Sequence, residues 1–342
     1  MNDKKFEDLF FSKTRDYLDQ YLTRQCCRSP QTVRAYRDAL TVFRRFISKK
    51  KGIPISRFTF DDCTHEFILD YIEFLLTEGC ARSTCNQRLA ALKSYLWYAS
   101  DCDVSLQQIA LSISHVPFLK ESEIIRETIS EEDMKALLAA PGNSRIGIRD
   151  TAIMVILYDS AIRLSELLNL KLSDVNMKKE YPYLRIHGKG DKERCVTITN
   201  QTVDHIQNYL TCFHTDPFIQ TDYLFYTVIH GQANRMSPGN VERILNKYAS
   251  IIRPDHPNLP DRIYPHMMRR TRATQLYRQD VDLELVSRIL GHSSTETTRI
   301  YAKPSLDMMK EAMEKASGQY IPKEEKVWPD DEDELAKLFG LR

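Results

Sequence analysis

Apolar residues in the first third of the chain recur at three- and four-residue steps, the stripe of an amphipathic helix. Val33, Tyr36, Leu40, Phe43 and Ile47 form one such stripe. Ser29-Pro30 opens it, with serine as the cap and proline in the first turn, and the run "KKKG" at 49 to 52 closes it. Thr64 opens a second helix with Phe67, Tyr71, Phe74 and Leu75 on one side, ending near Gly79, which suits a left-handed C-cap. Ser83 opens a third, with Leu89, Leu92, Tyr95 and Leu96 inward and Arg82, Arg88 and Lys93 outward. Helix surfaces are ordinarily charged, so these cations fit a solvated face as well as a ligand-binding one.

Periodicity then lapses. Residues 111 to 129, "LSISHVPFLKESEIIRETI", hold a proline and charges without a sustained stripe and read as a connecting segment. Ser130, with Asp133 three positions on, is a fresh capping signal. Residues 145 to 159 are helical and mostly apolar, and "YPYLRIHGKGDKERCVTIT" alternates as two short strands around a glycine-containing turn. Ser237-Pro238 starts a helix through Val241, Ile244, Leu245 and Tyr248, and residues 266 to 305 supply two or three more. Residues 306 to 318 read as helical, and the end "WPDDEDELAKLFGLR" as a short helix with Leu335, Leu338 and Phe339 on one side. The predicted class is mainly α with a small β-sheet (α+β).

Composition narrows this picture modestly. A chain of 342 residues exceeds what one core usually organises, so two domains are expected. No apolar run approaches the roughly 20 residues that span a bilayer, and the charged amino terminus has no signal-peptide core, so a cytoplasmic protein is expected. The 8 cysteines are scattered singly apart from Cys26-Cys27, without the spacing of a zinc site or redox motif. A net charge of +1 hides a local excess: residues 262 to 303 carry eight basic against four acidic side chains. Local charge, not the sum, is what meets a polyanion.

That basic stretch, "HMMRRTRATQLYRQDVDLELVSRILGHSSTETTRIYAKPS", also carries chemistry. His266 and Arg269 share a helix face, and Arg270 and Arg272 point elsewhere. His292 follows Gly291, a helix C-cap, and Tyr301 comes nine residues later in a helix capped near Ser294 and stopped by Pro304. Singly, each of these residues fits ordinary packing or surface hydrogen bonding. Upstream, "SAIRLSELLNLKLSDV" places Arg163 at a helix start, and "IHGKGDKERCV" places Lys189 in the hairpin turn. In order and spacing, Arg163, Lys189, His266, Arg269, His292 and Tyr301 resemble the active-site set of the tyrosine recombinases, the Xer-like and phage-integrase enzymes.

The resemblance implies a helical core-binding domain over 1–118, a linker over 119–129, a catalytic domain over 130–320 and an acidic tail over 321–342, the two domains clamping duplex DNA. It implies site-specific cleavage and rejoining of DNA through a covalent 3′-phosphotyrosine, with a dimer on each site, a tetramer in synapsis and the tail docking on a neighbouring subunit. Two guanidiniums suit the negative charge that builds on phosphate oxygens, which gives Arg163 and Arg269 their roles. A phenol with pKa of about 10 needs a proton acceptor, here His266. Lys189 would protonate the leaving 5′ oxygen, His292 would hydrogen-bond the phosphate, and Tyr301 would be the nucleophile. No cofactor is implied, and no carboxylate cluster offers itself to a divalent ion.

Arg34, Arg82, Arg88, Lys93 and Lys192 are the expected DNA-backbone contacts. Two departures from the family pattern stand out. Ala161 replaces a common glycine, a difference that a helical φ would make neutral, and Arg270 stands where many relatives have histidine. A type IB topoisomerase or resolvase, or a catalytically silent DNA-binding regulator on the same fold, are the alternatives.

Overall fold

The hydroxyls of Ser29, Thr64 and Ser130 start helices at the expected places. A computed structural model describes residues 6–120, 127–178, 180–188, 193–215, 221–291, 298, 313–314 and 331–341. By its internal contacts the chain forms two compact units, Met1–Ile125 and Arg126–Arg342.

In the first unit, α1 (Thr14–Asp16) widens into π-type turns over Tyr17–Gln25. The Ser29 hydroxyl then accepts from Thr32 N at 3.2 Å and opens α2 (Pro30–Arg45). Thr64 does the same for Phe67 N at 3.2 Å, opening α3 (His65–Thr77), and Gly79 follows with φ +78°. Next come α4 (Arg82–Cys102) and α5 (Gln107–Ser114). Ala81, not Ser83, holds the cap position of α4, with no side-chain cap. α5 occupies part of the stretch read as irregular, because Ala110 and Ile113 bury in the core just before Pro117 ends regular structure.

This core is aromatic. Phe43 is fully buried, with the rings of Phe10, Phe58, Phe67 and Tyr71 at 4.9 to 6.1 Å from its own. Mutual edge-on and tilted packing of such rings contributes beyond their buried area.

Around α4 the structure leaves Arg82 exposed, as expected, and half-buries Arg88 and Lys93. Lys93 Nζ donates to the carbonyls of Ser114 at 2.9 Å and Val116 at 2.6 Å and lies over the Phe118 ring at 4.5 Å. Burial lowers its pKa. Lys93 is therefore a clasp on the chain leaving α5, not an outward contact, because lysine satisfies the orphan carbonyls at a helix end. Arg82 Nη1 donates to Lys120 O at 2.9 Å, and the Asn86 amide pairs with Leu119 N and O at 2.8 and 3.0 Å. Arg88 Nη1 donates to the Cys80 sulfur at 3.1 Å. Arg34 alone of these four cations carries no such tie and is exposed.

The second unit opens with α6 (Glu131–Ala139), capped by Ser130 on Asp133 N at 3.1 Å, and α7 (Arg145–Asp159), capped by Ser144 on Gly147 N at 3.0 Å. α8 (Leu164–Asn169) leads to an antiparallel sheet of order β1-β2-β3: β1 (Val175–Asn176), β2 (Tyr183–His187) and β3 (Glu193–Thr197). The β2-β3 register runs from Tyr183 opposite Thr197 to His187 opposite Glu193. Leu184, Ile186 and Val196 consequently face the core. After α9 (Asn200–Phe213) comes an unforeseen hairpin, β4 (Tyr226–Ile229) and β5 (Gln232–Arg235), turned by His230 and Gly231, both at positive φ. His230 disguises this turn, since only the glycine advertises it.

α10 (Pro238–Ile252), α11 (Pro265–Arg278) and α12 (Leu283–Leu290) follow. α13 (Glu332–Leu338) is the short acidic helix expected near the end. The core of the unit gathers Ile153, Leu157, Leu168, Ile186, Leu245 and Met268. Among the described residues no helix is long and apolar enough to cross a membrane.

Phe43→Ala should remove about 3–5 kcal/mol of unfolding free energy from the first unit, read by denaturant titration, because its packed ring neighbours cannot collapse into the void.

Candidate active site

Arg269 lies on the buried face of α11, 1% exposed, and stands among the largest fully buried side chains. Its Nη1 donates to Ala161 O and its Nη2 to Leu290 O, both at 2.6 Å. Burying a guanidinium costs several kcal/mol unless its hydrogen bonds are made, so these carbonyls fix both the side chain and the segments that supply them. The Leu290 carbonyl sits at the negative end of α12, where a cation is favoured.

Ala161 reaches this position with φ +50°, in the left-handed region, and is fully buried. The neutral helical φ is thus not what the chain adopts. A β-carbon there costs about 1–2 kcal/mol, and a glycine would meet the same backbone requirement without that strain.

Arg163 caps the start of α8. Its main-chain N–H donates to Glu166 Oε2 at 2.8 Å, its Nη1 to Glu166 Oε1 at 2.9 Å and its Nη2 to Gly291 O at 3.3 Å. Its side chain is 43% exposed, so one edge of the guanidinium is turned to solvent. Leu290 and Gly291 are consecutive, so one helix end holds both arginines. Gly291 stops α12 in the left-handed conformation, φ +63° and ψ +46°, as its sequence position predicted.

His266 is exposed, one helical turn before Arg269 on α11. The structure thus brings Arg163 and Arg269 together and seats His266 on the same helix as the second. Lys189 and Lys192, in the connection from β2 to β3, and His292 and Tyr301, after α12, lie outside the described residues, as do residues 306–312 and 315–318.

Arg270 is buried, donating through Nη2 to the Glu127 carbonyl and through Nη1 to Tyr264 Oη at 3.4 Å. The Thr271 hydroxyl beside it accepts from Ile129 N at 3.0 Å. In this chain the arginine therefore ties the entry of the second unit to α11. Arg272 donates to Gln275 at 3.0 Å and pairs with Asp159 at 3.3 Å, away from the Arg269 carbonyls as expected.

Two contributors escaped the sequence reading. Glu166, buried, accepts from Arg163 and also from Arg194 Nη1 and Nη2, at 3.0 and 2.8 Å. Burial alone would raise its pKa, but the Arg194 fork and the Arg163 N–H groups hold it below the ordinary carboxylate value. A carboxylate three residues after an arginine at a helix start was the available signal. Arg194 shares the inward face of β3 with Val196, so a cation at a core-facing position of an alternating strand was the second. His187 closes the turn end of the same hairpin, Nε2 at 3.0 Å from Asp174 and Nδ1 at 3.0 Å from Glu193, and the Asp174 bond raises its pKa.

Three guanidiniums against one carboxylate leave this cluster cationic, an arrangement suited to an anionic ligand. Among the described residues no group of three His, Cys, Asp or Glu is placed to hold a metal ion.

Comparison with known proteins decides the family. Residues 127–307 match the phage integrase family and residues 16–101 the phage integrase N-terminal SAM-like domain. The chain belongs to the phage integrase family, the tyrosine recombinases. A putative integrase/recombinase, y4rC, of Sinorhizobium fredii is 30% identical over 319 residues, 91% of this chain and 92% of its own. The tyrosine recombinase XerC of Staphylococcus carnosus is 27% identical over 278 residues, 81% of this chain and 88% of its own. Among solved structures, the XerH site-specific recombinase bound to palindromic difH substrate, a post-cleavage complex, superposes with TM-score 0.68 at 20% identity over 87% of this chain and 83% of that one. The Tn1549 transposon integrase in complex with transposon right end DNA gives 0.65 at 15% over 91% and 99%. This recombinase thus shares its fold with enzymes solved on DNA.

Because Glu166 is held ionised, the folded chain binds protons less readily there than the unfolded chain. Stability should therefore be fully present above the ordinary carboxylate pKa of 4.5 and fall as pH drops below it. Glu166→Gln should lower stability at pH 7 by about 3–5 kcal/mol and flatten that acid-side slope, read by urea unfolding at several pH values.

Proposed function

We propose that this recombinase cleaves and rejoins duplex DNA at specific sites through a covalent 3′-phosphotyrosine. The observation that carries the reading is the anchoring of Arg163 and Arg269 on the adjacent carbonyls of Gly291 and Leu290. That arrangement holds the half-exposed Arg163 guanidinium ready for a phosphate, whereas the buried Arg269 must first be uncovered to meet the same phosphate. The XerH site-specific recombinase, whose fold this chain shares, was solved as a post-cleavage complex with its difH substrate, and that likeness supports the reading by analogy.

In the proposed step the Tyr301 oxygen attacks phosphorus and gives its proton to His266. The bond from phosphorus to the 5′ oxygen breaks, and Lys189 protonates that oxygen as it leaves. Arg163, Arg269 and His292 hold the non-bridging oxygens. The phosphotyrosine conserves the energy of the broken linkage, and attack by a 5′ hydroxyl reverses every transfer, so neither ATP nor a metal ion is required. Two copies would occupy each site and four a synapsis, the two units of each copy clamping the duplex. Domain limits of 1–118, 119–129 and 130–320, with the tail 321–342 docking on a neighbour, complete the proposal. Arg34 and Arg82 are the exposed candidates for backbone contact in the first unit, Arg34 lying beside Arg28 and Arg37 in a surface groove.

Incubation with a nicked duplex whose short released strand diffuses away should yield a denaturation-resistant protein–DNA adduct, lost in Tyr301→Phe and reduced by about 100-fold or more in Arg163→Ala. Specific DNA binding without adduct would point instead to a silent regulator. Relaxation of a supercoiled plasmid lacking any special site would point to a topoisomerase.

A further inference from the structure

Arg194 touches every part that fixes Arg163. Its fork occupies both oxygens of Glu166, Nη1 on Oε1 at 3.0 Å and Nη2 on Oε2 at 2.8 Å. Arg163 takes a further bond at each oxygen, through its main-chain N–H and Nη1. The carboxylate, which has about four acceptor positions, is thereby filled. The second Arg163 amine is left for the Gly291 carbonyl. Arg194 also packs flat against that glycine: a β-carbon on Gly291 would lie 2.6 Å from Arg194 Cζ and Nε. The turn that supplies carbonyls to Arg163 and Arg269 thus rests on the Arg194 guanidinium. Arg194 belongs to β3, the strand that returns from the connection holding Lys189.

We infer that Arg194 is a positioning residue: by sharing Glu166 it prevents a full two-bond pair between Glu166 and Arg163, and so keeps the Arg163 guanidinium directed at Gly291 and charged toward a phosphate. Fork-to-fork pairing is the preferred geometry of an arginine with a free carboxylate. With Arg194 gone, the released acceptor positions would draw both Arg163 amines onto Glu166, turning the guanidinium off Gly291 and neutralising it. The same loss would uncouple β3 from α8. The inference rests on the proposed strand-cleavage reading, since its consequence is a defect in that step.

The test measures the single-turnover rate of adduct formation on the nicked duplex, per folded molecule, together with duplex affinity by titration. Arg194→Gln should slow adduct formation by about tenfold or more while duplex affinity changes by less than about threefold. Adding Glu166→Gln to Arg194→Gln should recover most of the rate, since the competing charge is then absent. Arg194→Lys, which keeps the charge and loses the fork, should fall between wild type and Arg194→Gln and serves as the reading should the glutamine variant not fold. A merely structural salt bridge would lower the folded fraction and leave the rate per folded molecule unchanged. Equal rates for wild type and both single variants, or a slowed Arg194→Gln that Glu166→Gln fails to recover, overturns the inference while the recombinase reading stands. Absence of adduct in the wild-type chain, with duplex binding demonstrated, overturns the recombinase reading itself and this inference with it.

Discussion

The buried guanidinium of Arg269 is the constraint around which the second unit is organised. A charge taken so far from water must spend its donors well, and two of them reach Ala161 O and Leu290 O from a third segment. Three stretches distant in sequence, the end of α7, the end of α12 and α11 itself, are thereby held at fixed separation. The strained φ of Ala161 follows from this: the carbonyl must turn toward Arg269, and the backbone accepts about 1–2 kcal/mol to do so. Arg163 then docks on the next carbonyl of the same turn, and Glu166 and Arg194 set its orientation.

Much of this was legible in the sequence because the relevant signals are local. Ser29, Thr64 and Ser130 cap as serine and threonine should, Gly291 ends α12 in the left-handed conformation, and the alternation in 183–197 gives the hairpin its inward residues. Resemblance in order and spacing singled out Arg163, His266 and Arg269, and the structure sets the first and last of these on adjacent carbonyls of one turn. What stayed hidden depends on contacts across the chain. Nothing near Ala161 in sequence announces that a residue 108 positions away requires its carbonyl. The partner of Glu166 on β3 is 28 residues off, visible only once β3 is folded beside α8. The β4-β5 hairpin was missed because its turn opens with a histidine at φ +50° in place of the asparagine, aspartate or glycine that marks two-residue hairpin turns.

The cations of the first unit show what helical phase leaves open. Arg82 and Lys93 read as an outer charged face from helical phase alone, yet phase places only the stem of a long side chain. Their ends reach back to the carbonyls of Lys120, Ser114 and Val116, and with Asn86 they lay the segment that follows α5 along α4. Arg270 in the second unit does comparable work on Glu127. Basic residues here serve backbone carbonyls as well as carboxylates, and the near-neutral total of 48 basic against 47 acidic side chains coexists with a local cationic cluster at Arg163, Arg194 and Arg269.

The most direct test of the Arg269 anchor is hydrogen exchange at its guanidinium, followed by nitrogen-15 NMR on the DNA-free chain with labelled arginine. Nη protons of Arg269 that exchange only through unfolding of the second unit, with Arg34 exchanging at the rate of a solvated side chain, are the expected result. Exchange at Arg269 as fast as at Arg34 would contradict the claim that this buried cation holds the site together before DNA arrives.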